Sequence, residues 1–480
     1  TAGSIKLGEA GTLASNVSMS DGTLDADETL TLSGVLTQSG NITIDVAENK
    51  TLGYSGAAVN LGANTITLNG GGTLDNTNAL VLNHESSLLA LAGILAIGDV
   101  EGTAASNTGK GIQVSSSATL GNYDLSAVSY LSLAAEQTLA GQLNLKTNGE
   151  LKTSGAGQYV GDIALAGGKF STTDNQVLGG TLSITADSEL TVSEGYTFTL
   201  SQAGGLALGA NTLTLSGGGS LVSGGLILND AQSKLLLNKI TLDSASTSAN
   251  NSGVDVDDSS TITALAVGHT TPVSIADGKT LSGAVTVTGG SIKLGETGTL
   301  ASTVTMSGGT LDADETLTHS GALSHTADIT IDVAENKILT YSGTAINVGA
   351  NTITLSGGGS LVSGGMSLND AQSKLLLNSI TLDSASTSAN SLGLDVDANS
   401  TVTAFSVGHI TPVSIKANRT LSGSITVTAG SIKLDETGTL ASAVTMSGGT
   451  LDADESLTLS GALTQSGNIT IDVAEDKTLG

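Results

Sequence analysis

Long stretches of the chain repeat almost unchanged at a fixed distance. The segment "SIKLGETGTLASTVTMSGGTLDADETLT" begins at Ser291 and a near copy begins at Ser431, so the offset is 431 minus 291, or 140 residues. "GANTLTLSGGGSLVSGG" at Gly209 and "GANTITLSGGGSLVSGG" at Gly349 have the same offset. Repetition at a fixed period indicates a fold in which each unit stacks on its neighbours. The chain is therefore expected to be a tandem array.

Alignment of the copies predicts four segments. Residues 1–149 form a first module with a diverged second half, and residues 150–290 form a second with a diverged first half. Residues 291–430 form a third module and residues 431–480 the start of a fourth. Residues 1–53 closely match residues 428–480. We expect the chain to be a fragment of a longer array, because a natural end normally carries an atypical capping repeat.

Within each module, apolar residues alternate with polar ones in short runs. Ile329, Ile331 and Val333 have this period of two, and so do Ile353 and Leu355. A period of two predicts β-strands. The intervening "SGG", "GAN", "NDAQ" and "ENK" consist of residues that tolerate tight turns. We therefore expect strands with minimal helix.

The composition indicates a narrow core. The chain has 64 Gly but only 6 Tyr and 3 Phe, with no Trp or Cys, although 39% of its residues are apolar. A wide core normally uses aromatic side chains to fill its volume. We predict an all-β fold, a right-handed parallel β-helix (β-solenoid) with about 20 to 25 residues per coil. A module of about seven coils would rise ~34 Å, and the chain would form a rod over ~100 Å long. Tandem immunoglobulin-like sandwiches are the alternative, weakened by the missing aromatics.

The charge balance restricts the partners. The chain carries 16 Lys and Arg against 44 Asp and Glu, a net charge of -28, and Arg419 is its one arginine. Such an acidic surface disfavours nucleic acid as a partner and attracts cations. No apolar run reaches the length of a membrane-spanning helix, so no transmembrane segment is expected in this chain.

An acidic motif, "DADE", recurs with the modules and is the first candidate cation site. Its carboxylates are Asp25, Asp27, Glu28, Asp312, Asp314, Glu315, Asp452, Asp454 and Glu455. A calcium loop needs several oxygen ligands and a glycine that bends the chain, and this motif lacks the glycine. In the second module, "GKFSTTDNQVL" (168–178) has lost most of the acids. The sequence therefore favours a solvated, charged surface over bound calcium, and no cofactor is required.

A second acidic set has carboxylates two residues apart, namely Asp255, Asp257, Asp395 and Asp397. In a strand this spacing places both carboxylates on one face and Val254 and Val256 on the other. Such a pair could bind a cation or act as a general acid and base. Glycosidases surround their carboxylates with aromatic or basic residues that contact the sugar, whereas the neighbours here are Ser, Thr and Val. We therefore predict that these carboxylates are not catalytic.

Two equivalent histidines, His269 and His409, precede the two prolines of the chain in "VGHTTPVSI" and "VGHITPVSI". The His-x-x-Pro segments predict turns at a corner of the coil. Copies a module apart would lie ~34 Å from each other, too far to share a metal ion. A structural role is therefore expected.

In composition and rhythm, "TLTLSGALTQSGNITI" and "GANTITLSGGGSLVSGG" resemble the repetitive passenger regions of large bacterial surface proteins. These are autotransporter passengers, filamentous haemagglutinin-like adhesins and other giant repeat adhesins. The resemblance covers the whole chain and rests on no diagnostic motif. It implies a secreted right-handed β-helix that stands off the cell as a fibre or stalk.

We accordingly expect a non-catalytic structural or adhesive rod at the cell surface, part of a longer repetitive fibre. Its expected partners are other copies or modules of the same chain and a host-cell glycan or protein. One alternative is a β-helical polysaccharide-active enzyme, which would need a cleft rich in aromatic and cationic residues. Another is a cation-dependent surface-layer or ice-binding protein, which would need repeated ligands on one face.

Overall fold

The computed structural model describes residues 3–94, 96–106 and 108–480, and every regular element in them is a β-strand. The chain divides into two compact units, Thr1–Ser244 and Ala245–Gly480. In both units the chain passes through a strand on a first face, turns to a second and usually a third, and returns to the first face one coil further on. Paired strands on these faces are parallel. The prediction of an all-β parallel β-solenoid is confirmed.

The first face has twelve strands in the described part of each unit, and each strand pairs with the one in the next coil. In the first unit they are Ser4–Leu7, Gly22–Ala26, Ile42–Val46, Thr65–Asn69, Leu88–Leu91, Gly111–Val114, Val128–Leu133, Glu150–Ser154, Lys169–Thr172, Ser188–Val192, Thr212–Ser216 and Lys234–Asn238. In the second unit they are Gly253–Asp258, Thr271–Ile275, Ser291–Gly295, Thr310–Ala313, Ile329–Val333, Thr352–Ser356, Lys374–Asn378, Gly393–Val396, Ile410–Ile415, Ser431–Leu434, Thr450–Ala453 and Thr470–Val473.

The second face begins after the first turn of each coil. From the start of the chain its strands are Gly11–Leu13, Leu30–Leu32, Thr51–Tyr54, Thr73–Asn76, Ala96–Ile97, Ala118–Leu125, Thr138–Lys146, Gln158–Tyr159, Gln176–Leu178, Thr197–Leu200, Ser220–Val222 and Thr241–Thr247. The later ones are Ser260–Val267, Thr280–Val287, Thr299–Leu300, Leu317–His319, Ile338–Tyr341, Ser360–Val362, Thr381–Thr387, Ser400–Val407, Thr420–Val427, Thr439–Leu440 and Thr458–Leu459.

Separate strands of the third face occur where the chain breaks between the two faces. They are Val17–Met19, Leu36–Gln38, Val59–Asn60, Leu80–Leu82, Val100–Gly102, Asp162–Ala166, Leu182–Ala186, Leu206–Ala207, Leu226–Leu228, Thr303–Met306, Leu323–His325, Ile346–Asn347, Met366–Leu368, Ala443–Met446 and Leu463–Gln465. The longer strands of the second face continue around the corner and supply the third face themselves.

The core consists of columns of aliphatic side chains, because the alternating residues of each strand lie directly above those of the coil below. One column on the first face of the second unit is buried throughout and comprises Leu311, Ile331, Leu355, Leu377, Val396 and Ile415. Burial of each such side chain contributes about 1.5–3 kcal/mol relative to leaving it exposed. The predicted narrow aliphatic core is present.

Glycine allows the long strands to bend at the corner. Gly283, within Thr280–Val287, has a φ of +113°, and a Cβ there would lie 1.8 Å from the carbonyl oxygen of Ile262 in the preceding coil. Gly423 in the copied strand has a φ of +115° and the same close approach. A side chain at either position would clash with backbone that cannot move away, since only glycine adopts such φ values without strain.

The "ENK" and "EDK" turns close in the same way in three copies. Asn49, Asn336 and Asp476 have φ values near +60°, in the left-handed region that Asn and Asp tolerate. The amide of the following lysine then donates to the carbonyl oxygen of the alanine three residues earlier. This geometry places a lysine immediately after the turn in each copy.

The division into modules of 140 residues is a feature of the sequence and stays a prediction for domain organisation.

Candidate functional site

The first "DADE" motif begins inside a strand of the first face. Leu24 and Ala26 are completely buried, so Asp25 between them lies on the outer surface. Asp27 and Glu28 follow in the turn that leads to the second face. The aliphatic residues face the core and the carboxylates lie outside it, on the charged surface that the sequence favours.

Lysines from both neighbouring coils pair with these carboxylates. Lys6, in the coil before the motif, places its Nζ 2.8 Å from Asp27 Oδ2 and 3.5 Å from Asp25 Oδ2. Lys50, in the coil after it, places its Nζ 2.6 Å from Glu28 Oε2. The motif is thus held by ammonium groups from the coils on both sides.

The copies of the motif repeat this arrangement. Lys293 Nζ lies 3.2 Å from Asp312 Oδ2 and 3.4 Å from Asp314 Oδ2, and Lys433 contacts Asp452 and Asp454. Glu315 pairs with Lys337 and Glu455 pairs with Lys477. The lysine that follows each turn of the "ENK" type therefore binds the glutamate of the coil below.

Burial and repulsion make Asp312 sensitive to the loss of its partner. Desolvation raises the pKa of Asp312, the hydrogen bond from Lys293 opposes this, and the negative charges of Asp314 and Asp332 raise it further. Hydrogen bonding to Asp312 and the charges of both aspartates raise the pKa of Lys293. The ammonium group of Lys293 is consequently held between the carboxylates of Asp312 and Asp314.

The second acidic set is also close to lysines. Val254 and Val256 are buried and Asp255 and Asp257 lie on the outer side of their strand, as predicted. In the later copy Lys374 Nζ lies 2.7 Å from Asp395 Oδ2, and Lys416 pairs with Asp397. The carboxylates therefore alternate with ammonium groups from successive coils.

Over residues 3–94, 96–106 and 108–480, no three His, Asp or Glu side chains come together in an arrangement that could hold a metal ion. A calcium ion needs six to eight oxygen ligands, and at the "DADE" motifs the carboxylates already surround a lysine Nζ. The carboxylates of the three "DADE" motifs, together with Asp395 and Asp397, are partners of lysine. Calcium binding by the thirteen candidate carboxylates stays the alternative that the sequence disfavours.

An open groove of about 590 Å³ lies on the first face of the first unit. Glu150, Lys169 and Glu189 line it from three successive coils. Burial alone would raise the pKa of Glu189, but Lys169 Nζ at 2.8 Å and the hydroxyls of Thr191 and Ser216 hold it below its ordinary value. A glycosidase needs a carboxyl group with a raised pKa as its general acid, and the lowered pKa of Glu189 does not suit that role.

His269 and His409 are exposed and lie between consecutive strands, where a corner was predicted. The prolines do not belong to the turns: Pro272 lies within Thr271–Ile275 and Pro412 within Ile410–Ile415. Each proline lies near the beginning of its strand, where it has no backbone N–H to donate to a neighbouring strand. The turn therefore includes the histidine but not the proline, and the predicted His-x-x-Pro turn is wrong in its extent.

Hydroxyl side chains form an outward column on the third face of the second unit. Ser367, Ser386, Ser406, Thr426, Thr445 and Thr464 occupy successive coils in register. The threonines of "NTITL" do not continue in this way, since Thr354 is followed in its column by Leu376. The persistent hydroxyl ladder thus lies on the third face and not on the first.

Sequence reasoning missed the lysines that hold the carboxylates and the buried histidine of Leu317–His319. The signal for the lysines was present, because Lys6 precedes Asp25, and Lys50 follows Glu28, by about the length of one coil. His319 occupies the position of Leu32 in the first module, so alignment of the copies would have identified it.

Comparison of the chain with protein-family models, with curated proteins and with solved structures found no match. The described residues contain no helix with the length and apolarity needed to cross a membrane.

Proposed function

We propose that the chain is a non-catalytic structural or adhesive part of a longer extracellular fibre at the cell surface. The observation that carries this proposal is the unbroken pairing of twelve parallel strands on the first face of each unit. Continuous backbone hydrogen bonding over an aliphatic core resists bending and extension. A fibre of this kind spans distance, and its length is set by the number of coils.

The modules support this proposal because their copying extends the fold without changing it. The third module, residues 291–430, begins with Ser291–Gly295 and is followed by Ser431–Leu434, which starts the next copy on the same face. Seven strands of the first face lie in that module. A duplicated module therefore adds whole coils and leaves every strand in register.

Deletion of residues 291–430 tests the proposal. The deletion joins Gly290 to Ser431, whose sequence and face match those of Ser291, and should remove seven coils. We expect small-angle X-ray scattering to show that the longest dimension decreases by ~34 Å while the circular dichroism spectrum keeps its β character. Deletion of residues 291–440, which ends about half a coil out of phase, is the control and should disrupt folding. An in-phase deletion that unfolds the protein or leaves its length unchanged would contradict the proposal.

A second candidate function, binding to an ordered surface such as ice, is favoured by the hydroxyl column from Ser367 to Thr464. The column repeats at the strand spacing of ~4.8 Å. Replacement of Thr426 and Thr445 by lysine would interrupt it without entering the core. Loss of ice-recrystallisation inhibition in this variant would support the second function, and absence of inhibition by the unmodified chain would eliminate it.

A further inference from the structure

One core position distinguishes the third module from its copies. His319 lies in the second-face strand Leu317–His319 and is completely buried. The equivalent residue in the first module, Leu32, is also completely buried, and the fourth module has Leu459. An imidazole thus replaces an aliphatic side chain between Leu300 and Tyr341, its partners in the neighbouring coils.

The hydrogen bonds of His319 define its neutral state. Its Nε2 lies 3.1 Å from the carbonyl oxygen of Ser302, which can only accept, so Nε2 carries the proton and donates. Its Nδ1 is buried and has no hydrogen-bond partner. The ring packs against Tyr341, with 5.2 Å between ring centroids. The site therefore provides a hydrogen-bond acceptor for one N–H group of the imidazole, at Nε2.

No hydrogen-bond acceptor lies within reach of Nδ1, and the nearby charged groups are already paired. The paired strands are Thr299–Leu300 and Ile338–Tyr341, and Tyr341 is their one titratable residue. On the same coil, Asp312 pairs with Lys293, and both ring nitrogens of His325 lie 3.1 Å from carbonyl oxygens, those of Ala327 and Asn347. Protonation would place an unpaired N–H and a positive charge in an aliphatic layer, which is strongly unfavourable.

We propose that the coil around His319 is a pH-sensitive weak point of the solenoid, closed when the imidazole is neutral and opened locally when it is protonated. Opening would separate Leu317–His319 from its neighbouring strands and expose unpaired strand edges. Acidification would therefore loosen the third module at one defined coil, while the corresponding coil of the first module, with Leu32, stays closed.

The direction of the pH effect follows from burial. Desolvation lowers the pKa of His319 in the folded state, and the hydrogen bond to Ser302 opposes this only in part. The open state, with an ordinary pKa of about 6.5, binds the proton more readily. The closed state is consequently at its most stable above pH ~6.5 and loses stability as the pH falls below that value, by up to about ten-fold in the opening equilibrium per pH unit.

Amide hydrogen exchange on the full chain tests this inference at two equivalent sites. The amide of Ser342 donates to the carbonyl oxygen of His319 at 3.0 Å, and the amide of Ser55 donates to that of Leu32 at the same distance. After correction for intrinsic exchange, we expect protection of Ser342 to fall about ten-fold between pH 7.5 and pH 5.5. Protection of Ser55 should stay constant.

Two variants identify the group responsible. His319→Leu restores the residue of the first module and should make Ser342 as insensitive to pH as Ser55. His325→Gln restores Gln38 of the first module and should leave the pH dependence intact. The inference is overturned if Ser342 shows no pH dependence in the unmodified chain, if His319→Leu retains it, or if His325→Gln abolishes it.

Discussion

Lys293 offers the sharpest test of how the "DADE" carboxylates are satisfied. In Lys293→Met the aliphatic stem is kept and the ammonium that contacts Asp312 and Asp314 is lost. Lys293 is 39% exposed and Asp312 is 13% exposed at the side chain. The change therefore leaves the mostly buried carboxylate of Asp312 without its ammonium partner. Asp314 lies beside this carboxylate, and Asp332 lies in register with it in the next coil.

The expected loss of stability is about 1 kcal/mol. An ion pair that solvent can reach typically contributes ~0.2–1 kcal/mol because solvent screens the charges. Solvent reaches both pairs of Lys293 through the lysine, whose side chain is 39% exposed. For a domain of this size, 1 kcal/mol lowers the melting temperature by about 2–4 °C. At 1 M salt, where the screening length is about 3 Å, the difference should largely disappear.

Thermal unfolding followed by circular dichroism at low and high salt measures the loss of stability and its screening. The same measurement with millimolar calcium or with chelator tests whether the carboxylates bind calcium. Lys110→Met removes the same charge from an exposed residue and is the control. We expect calcium to stabilise Lys293→Met, in which the carboxylates lack their ammonium, and to have little effect on the unmodified chain. If the unmodified chain melts much earlier in chelator, the carboxylates are calcium ligands and our assignment of the lysines is wrong. If Lys293→Met behaves like Lys110→Met, the ion pairs contribute nothing measurable.

Two further predictions concern the backbone. Gly283→Ala should lower the free energy of unfolding by about 3 kcal/mol, because the new Cβ would clash with a carbonyl oxygen of the preceding coil; urea denaturation beside Gly8→Ala, where a Cβ meets no atom within 4 Å, measures this. Tyr54→Phe should lower it by about 1–2 kcal/mol, because the buried Tyr54 hydroxyl accepts from the amide of Leu36. Loss of as much stability in Tyr196→Phe, at an exposed tyrosine, would refute the second prediction.

The sequence was sufficient to predict the strands, the parallel coils and the narrow core. Alternation such as that of Ile329, Ile331 and Val333 has only one structural meaning when it recurs with turns at the length of a coil. The bends within Ser260–Val267 and Thr280–Val287 were not predictable in the same way. Within Thr280–Val287 the bend includes the close approach of Gly283 to the neighbouring coil, which the sequence pattern does not contain.

The candidate site was predicted only in part, and the reason is the distance along the chain between partners. The sequence placed Asp25 outside the core, and this is confirmed. It could not by itself pair Asp25 with Lys6, because a partner in the adjacent coil is known only once the length of that coil is known. Coil lengths vary along the chain, so an error of one residue moves a side chain to the opposite face.

This pairing between coils is preserved when a whole module is copied and is lost when a coil is inserted between a motif and its lysine. Each "DADE" motif depends on a lysine in the coil below and another in the coil above, as Asp312 and Glu315 depend on Lys293 and Lys337. Insertion or loss of one coil would separate these partners and leave carboxylates facing one another on a surface with a net charge of -28. Insertion of a whole module, by contrast, restores the same neighbours at both junctions. Copying of the module of 140 residues therefore extends the chain without disturbing the charge pairing.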